Sequence, residues 1–329
     1  MIKKNRAVHS FKILLAVFLI CLTLLFLNAC ITQDYDVKKY DITYVYNNGN
    51  GQRTVTVSSK GAVAEPPEPE RAGYIFAGWY SDAELTDKYY FGNSPDKDIM
   101  LYAAWSPDLA GMVNLVTTEY MTANVEVHTV HYKGSALFPT AVGTGSSGSG
   151  AIYKRLGDWY YLLTNYHVID LEATATFAEY TVCDAYGDEY DAELLASLES
   201  YDIAVLRFRC EKELKVLAFD TEIPRSEAPV IALGHPKGQN NALTVGKLLD
   251  YAEIASKTDD ETLKKVEFEV IWHSAYLNHG SSGGALISSE MKLIGLNYAL
   301  SLKENDEFQY GFAIPAEKIV QFLNAADLY

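Results

Sequence analysis

The sequence predicts an all-β protein with two β-rich domains of unequal size. Three observations point there. From residue 39 onward the chain is mostly short β-prone stretches broken by Gly, Asn, Asp and Pro, which is the spacing of barrels and sandwiches. Pro315–Leu323 carries a helical period, with Ile319, Val320 and Leu323 on one face. The 329 residues are 49% apolar and include 24 Tyr and 13 Phe, enough to bury roughly two cores. The same composition excludes a disordered chain, and four cysteines exclude a dense disulfide scaffold. The net charge of −16 argues against a general nucleic-acid binder, because neutralising phosphates needs a Lys/Arg surplus.

The first 29 residues read as an address. Lys3, Lys4, Arg6 and Lys12 precede the apolar run Ile13–Leu27. As a helix that run spans only about 22 Å, short of the ~30 Å hydrocarbon core, so it suits a cleaved signal peptide. It ends in Leu27-Asn28-Ala29-Cys30, which resembles a bacterial lipobox. The resemblance implies lipid attachment at Cys30, cleavage after Ala29 and tethering to the outer face of a membrane. The remaining chain then has 23 Lys+Arg against 43 Asp+Glu, a net −20. Residues 30–38 form a tether. Of the later cysteines, Cys183 and Cys210, the sequence does not establish a pairing.

Residues 39–105 form the first domain. Asp41–Tyr46 and Thr54–Ser58 alternate as strands around the turn Asn47-Asn48-Gly49-Asn50-Gly51. Glu65-Pro66-Pro67-Glu68-Pro69-Glu70 cannot continue a ladder and must be a loop. Gly73-Tyr74-Ile75-Phe76-Ala77-Gly78-Trp79-Tyr80 and Ile99–Trp105 supply further strands and an aromatic core. The GYxFxGWY run and the closing LYAAW resemble the internalin-type B-repeat. That resemblance implies a small β-grasp-like fold and a spacer role, or a cell-wall or surface partner. Residues 106–112 read as a linker.

Residues 113–329 hold three local motifs. A strand runs into Asn165-Tyr166-His167-Val168. Asp202 opens the apolar strand Ile203–Phe208. Ser282 sits in His279-Gly280-Ser281-Ser282-Gly283-Gly284. Alone each is weak, and the run Gly143–Gly150, GTGSSGSG, reads as ordinary linker text. Together they carry weight. A serine hydroxyl needs a base near neutral pKa, and that base needs a carboxylate to set its tautomer. Glycines around the serine let backbone N–H groups aim at one point. In the order His, Asp, Ser the motifs resemble the chymotrypsin-fold serine proteases, most nearly the Deg/HtrA group. Ala232-Leu233-Gly234-His235-Pro236-Lys237-Gly238 and Gly311-Phe312-Ala313-Ile314-Pro315 extend the resemblance.

The resemblance implies a double β-barrel with a C-terminal helix and a serine endopeptidase acting on proteins or peptides. It implies His167 as general base, Asp202 as its orienting acid and Ser282 as nucleophile. The N–H groups of Gly280 and Ser282 would form the oxyanion hole. Tyr276 and Leu277 would floor the S1 pocket, with the stretch from Asn297 to Ala299 on one wall. No acid lies among these, so Lys or Arg at P1 is disfavoured. His279 stands where the group often has Pro, and reads as a rim residue. His235 reads as structural. His128 and His131 lack the Cys or carboxylate company of a metal site, so no cofactor or metal is expected. No PDZ domain is expected after GFAIP. The alternative function is a catalytically silent surface adhesin on a protease scaffold.

Overall fold

The computed structural model describes residues 37–329 except 50, 223, 236–240 and 254–265. The leader, Cys30 and residues 236–238 of the AxGxPxG-like segment lie outside the described residues. Two compact units divide the chain, with the boundary at Trp105/Ser106 and residues 71–75 grouped with the second unit.

The first unit is a four-stranded sheet of β1 (Lys39–Val45), β2 (Gln52–Ser58), β3 (Tyr74–Tyr80) and β4 (Ile99–Pro107), in the order β2-β1-β4-β3. β1 pairs antiparallel with β2 and parallel with β4. Alternation along β1 puts Ile42 and Tyr44 inside. Trp79 is 1% exposed, and the edges of Tyr44, Tyr46 and Phe76 meet its ring at 5.1, 5.7 and 5.5 Å. The proline-rich stretch carries no strand, as its missing N–H donors require. It is anchored at its start by buried Val63, whose N–H donates to Asn93 O at 2.9 Å.

The second unit opens on α1 (Leu109–Leu115), capped by Asp108, whose Oδ1 accepts from Gly111 N at 2.8 Å. Part of the expected linker is therefore helical. Wider and tighter turns carry the chain on to Ala123, burying Met112, Val116 and Ala123.

Two closed antiparallel barrels follow. The first contains β5 (Asn124–Ser135), β6 (Phe138–Leu156), β7 (Trp159–Thr164), β8 (Phe177–Cys183), β9 (Glu189–Leu198) and β10 (Ile203–Arg209), in the order β10-β7-β6-β5-β8-β9. The second contains β11 (Pro229–Gly234), β12 (Ala242–Ala252), β13 (Val270–His273), β14 (Ala285–Ser288), β15 (Leu293–Leu302) and β16 (Phe308–Pro315), in the order β11-β12-β13-β16-β15-β14. The expected all-β double barrel with a C-terminal helix is what the chain forms, beside a separate smaller β-sheet module.

Each barrel has its own core. Leu162, Leu206 and Phe208 help fill the first, and Val230, Leu286 and Ala313 the second. A third cluster forms the seam between them, joining Leu163, Ile203 and Val205 to Leu233, Ala285 and Leu296. Helix α3 (Ala316–Ala325) caps this seam with Ile319, Phe322 and Leu323.

Two local expectations are corrected. GTGSSGSG is no linker: it lies inside β6, pairing with β5 through Val127↔Gly148 and Val125↔Gly150. Its glycines are there because neighbours press close; a Cβ on Gly150 would meet Leu162, Val125 and Val127. The β-prone stretch Val266–Ile271, which as sequence predicts a strand throughout, is a strand only from Val270. Cys183 and Cys210 are free thiols, and Cys210 Sγ donates to Tyr190 Oη at 3.4 Å.

Candidate active site

The site lies where both barrels end at their shared seam. β7 delivers His167 on a single helical turn, α2 (Tyr166–Ile169). Val168 and Ile169 anchor that turn by burial in the first barrel's core. The Val168 carbonyl accepts from Thr129 Oγ1 at 2.8 Å and from Ser146 Oγ at 2.6 Å. The imidazole, 38% exposed, is thereby left at the surface on a fixed base.

Asp202 enters from the neighbouring strand's start. It ends a 3-10 turn with φ +52, a left-handed conformation that Asp tolerates better than most residues. The Asn165 amide donates to its carbonyl at 2.9 Å. Its side chain is 2% exposed. One carboxylate oxygen accepts from His167 N–H at 2.9 Å, and the other meets His167 Nδ1 at 2.8 Å. A carboxylate can only accept, so Nδ1 carries the proton and Nε2 keeps its lone pair for another partner.

Ser282 comes from the second barrel, in the turn before β14. Its Oγ rests 3.5 Å from Tyr298 O. The turn is tightly wound: Ser281 N donates to Asn278 O at 2.9 Å, Gly283 N to Asn297 O at 2.8 Å, and Gly284 N to Ser281 O at 3.1 Å. Among the described residues, the N–H groups of Gly280 and Ser282 have no protein acceptor. Gly280 has φ +93 and Gly283 φ +85, which a side chain would strain. A Cβ on Gly283 would also collide with Ser149 O and Thr164 Oγ1.

The other expected residues are placed as follows. Leu277 is buried in the second barrel's core, while Tyr276 is half exposed with its ring against Phe308 at 5.1 Å. Asn297 is fully buried, its amide donating to Ala285 O at 3.2 Å and Leu233 O at 3.4 Å. Ala299 is 7% exposed. His279 is exposed, and its N–H donates to Asn278 Oδ1 at 2.8 Å. His235 is buried, with Nδ1 3.2 Å from Asn124 Nδ2, and burial lowers its pKa to about 4. His128 and His131 face Glu126 and Glu172 at 3.4 and 3.5 Å.

Sequence reasoning passed over Ser149 and met Tyr298 only as part of the expected S1 wall. Ser149 lay inside the text dismissed as a linker, and its short distance from glycines was the only available signal. Tyr298 follows Asn297 with no motif of its own. Its ring is 4% exposed, its hydroxyl has no partner among the described residues, and burial beside the Asp202 charge pushes its phenol pKa up.

Both units are similar to known proteins. Residues 148–296 match the trypsin-like peptidase domain family, and residues 40–104 match the Listeria-Bacteroides repeat domain. The chain is 30% identical over 174 residues to the serine protease Do-like HtrA of Bacillus subtilis, covering 53% of this chain and 37% of that protein. It is 32% identical over 199 residues to the HtrA of Lactococcus lactis strain IL1403, covering 58% of this chain and 47% of that one. Periplasmic serine endoprotease DegP of Escherichia coli K12 is 30% identical over 174 residues, covering 52% and 34%. The chain thus spans about a third to a half of the length of these relatives. A solved structure of the HtrA-type protease AlgW with a tripeptide superposes with a TM-score of 0.51 at 26% identity, covering 65% of this chain and 62% of that one. With two closed barrels, a His–Asp pair and a serine turn at their seam, the chain carries a chymotrypsin-fold, HtrA/DegP-like serine protease domain, together with a separate internalin-type B-repeat module.

Proposed function

We propose that the chain is an extracytoplasmic serine endopeptidase, held at the outer face of a bacterial membrane by lipid on Cys30. The observation that carries the catalytic part is the double contact of Asp202 with His167, made across the seam from a serine turn with two N–H donors that no described residue accepts from. In this reading Ser282 Oγ turns from the Tyr298 carbonyl towards His167 Nε2 and gives up its proton there as it attacks the scissile carbonyl. Asp202 stabilises the imidazolium that forms without taking the proton itself. The carbonyl oxygen, now negative, is received by the N–H groups of Gly280 and Ser282, whose donors need no reorganisation at that moment. His167 then protonates the leaving amine, and water repeats the sequence to free the acid.

Tyr276, Leu277, Asn297 and Ala299 would shape S1, and none of them offers a carboxylate to a cationic side chain. Likeness to HtrA and DegP proteins supports protein or peptide substrates and a place outside the cytoplasm. Among the described residues no helix is long and apolar enough to cross a membrane, so the membrane attachment proposed here rests on the leader and Cys30. The B-repeat module would hold the protease off the surface or bind a wall component. The test is casein hydrolysis by the full chain and by Ser282→Ala. We expect the variant to lose at least ~10³-fold in rate. Equal activity in the two would refute the assignment.

A further inference from the structure

We propose that Ser149 is a positioning residue for the oxyanion-binding turn: its buried hydroxyl bridges His235 and Gly280 and holds the Gly280 N–H in its working direction. The inference rests on the reading of Gly280 and Ser282 as oxyanion donors.

Ser149 lies on β6, is fully buried, and turns every polar group it has towards the serine turn or its supports. Its N–H donates to Ser282 O at 2.7 Å. Its carbonyl accepts from Thr164 Oγ1 at 2.8 Å. Its hydroxyl accepts from His235 N–H at 2.8 Å and lies 2.7 Å from Gly280 O. Direction follows from the chemistry. An amide N–H can only donate and a carbonyl can only accept, so the single hydroxyl proton must point at Gly280 O.

The consequence appears plane by plane. The Gly280–Ser281 peptide is held at both edges, its oxygen by Ser149 Oγ and its N–H by Asn278 O. The Ser281–Ser282 peptide, which carries the Ser282 N–H, is held by Gly284 N on Ser281 O at 3.1 Å. The His279–Gly280 peptide, which carries the Gly280 N–H, has no such anchor among the described residues. Its direction is set through Gly280 itself, a residue with no Cβ to restrict rotation. The nearest fixed point is the Gly280 oxygen, and Ser149 fixes it. His235 is in turn held by Asn124, whose amide also donates to Asn241 Oδ1 at 2.8 Å. The hydroxyl is thus fastened to the seam and cannot follow a rotating Gly280.

Ser149→Ala removes this bridge and leaves the Ser149 backbone contacts in place. The experiment uses the full chain, a peptide substrate and a peptide boronate as transition-state mimic. Active sites are counted with a fluorophosphonate. A lost oxyanion donor costs on the order of 10²–10³ in rate, and a misaimed one less. We expect kcat per titrated site to fall ~10–100-fold, KM to change less than ~3-fold, and boronate affinity to fall in parallel with kcat. Ser149→Cys, which keeps the volume and a weak donor, should fall between wild type and Ala, and serves if the Ala variant does not fold. If either folded variant loses titratable sites or thermal stability while kcat per site stays within twofold of wild type, Ser149 is merely structural and the proposal fails. If the wild type is neither labelled nor active, the underlying reading of Ser282 fails, and the proposal with it.

Discussion

Single residues at the seam do two jobs, and burial decides which. Asp202 spends its whole carboxylate on one histidine, through the backbone N–H and through Nδ1. His235 and His273 are buried too but have no carboxylate partner among the described residues, and burial lowers each pKa to about 4. This gives the fold an acid limit. Between about 4 and the unfolded value of 6.5, the unfolded chain binds protons at these positions and the folded chain does not. Stability therefore falls as pH drops through that window, by on the order of 3 kcal/mol per histidine over its full width. Denaturant titrations at pH 7, 6, 5 and 4.5 should show the midpoint declining. His235→Asn should flatten the decline by its own share; an unchanged slope would mean that His235 is charged in the folded protein.

Elements show the same dependence on close approach. β6 is the strand that touches both barrels' business ends, because its glycines admit neighbours that a side chain would exclude. A Cβ on Gly148 would meet Val168 on one side and Ser282 O on the other. Read as text, Gly-Ser repeats look like flexible linker; between Val127 and the serine turn they are a seat. The small sheet works from the opposite principle, with bulk at its centre. Trp79 is ringed by Tyr44, Tyr46 and Phe76. Trp79→Ala should destabilise this module by about 3–5 kcal/mol. The check is thermal unfolding of residues 37–105 followed by near-UV circular dichroism. A midpoint within a degree of wild type would show that the aromatic cluster is not the module's core.

At the scale of the whole molecule, the double barrel exists to bring two chain segments far apart in sequence to one seam. His167 and Asp202 arrive from the first barrel and the Ser282 turn from the second. The cluster of Leu163, Ile203, Leu233 and Ala285 packs the two barrels against each other. The proposed substrate preference belongs to this scale, since in that reading residues from separate segments would shape S1. Tyr276, Leu277, Asn297 and Ala299 bring no acid, so a buried Lys or Arg at P1 would lack a partner. A peptide library should return small or medium apolar residues at P1. Strong enrichment of Lys or Arg would overturn the pocket assignment.

The sequence by itself determined the β class, the two domains and the three chemistry-bearing motifs. Those features are legible along the chain: strand alternation, turn residues and each motif are written within a few neighbours, and the order of the motifs is read directly from the sequence. Only the tertiary structure decided what Ser149 and Gly148 meet, because Gly280 and Ser282 lie more than a hundred residues away, across the barrel seam. Ser149 and Gly280 are 131 residues apart and meet at 2.7 Å. No periodicity or spacing encodes such a contact; it follows from two barrels closing against one apolar seam.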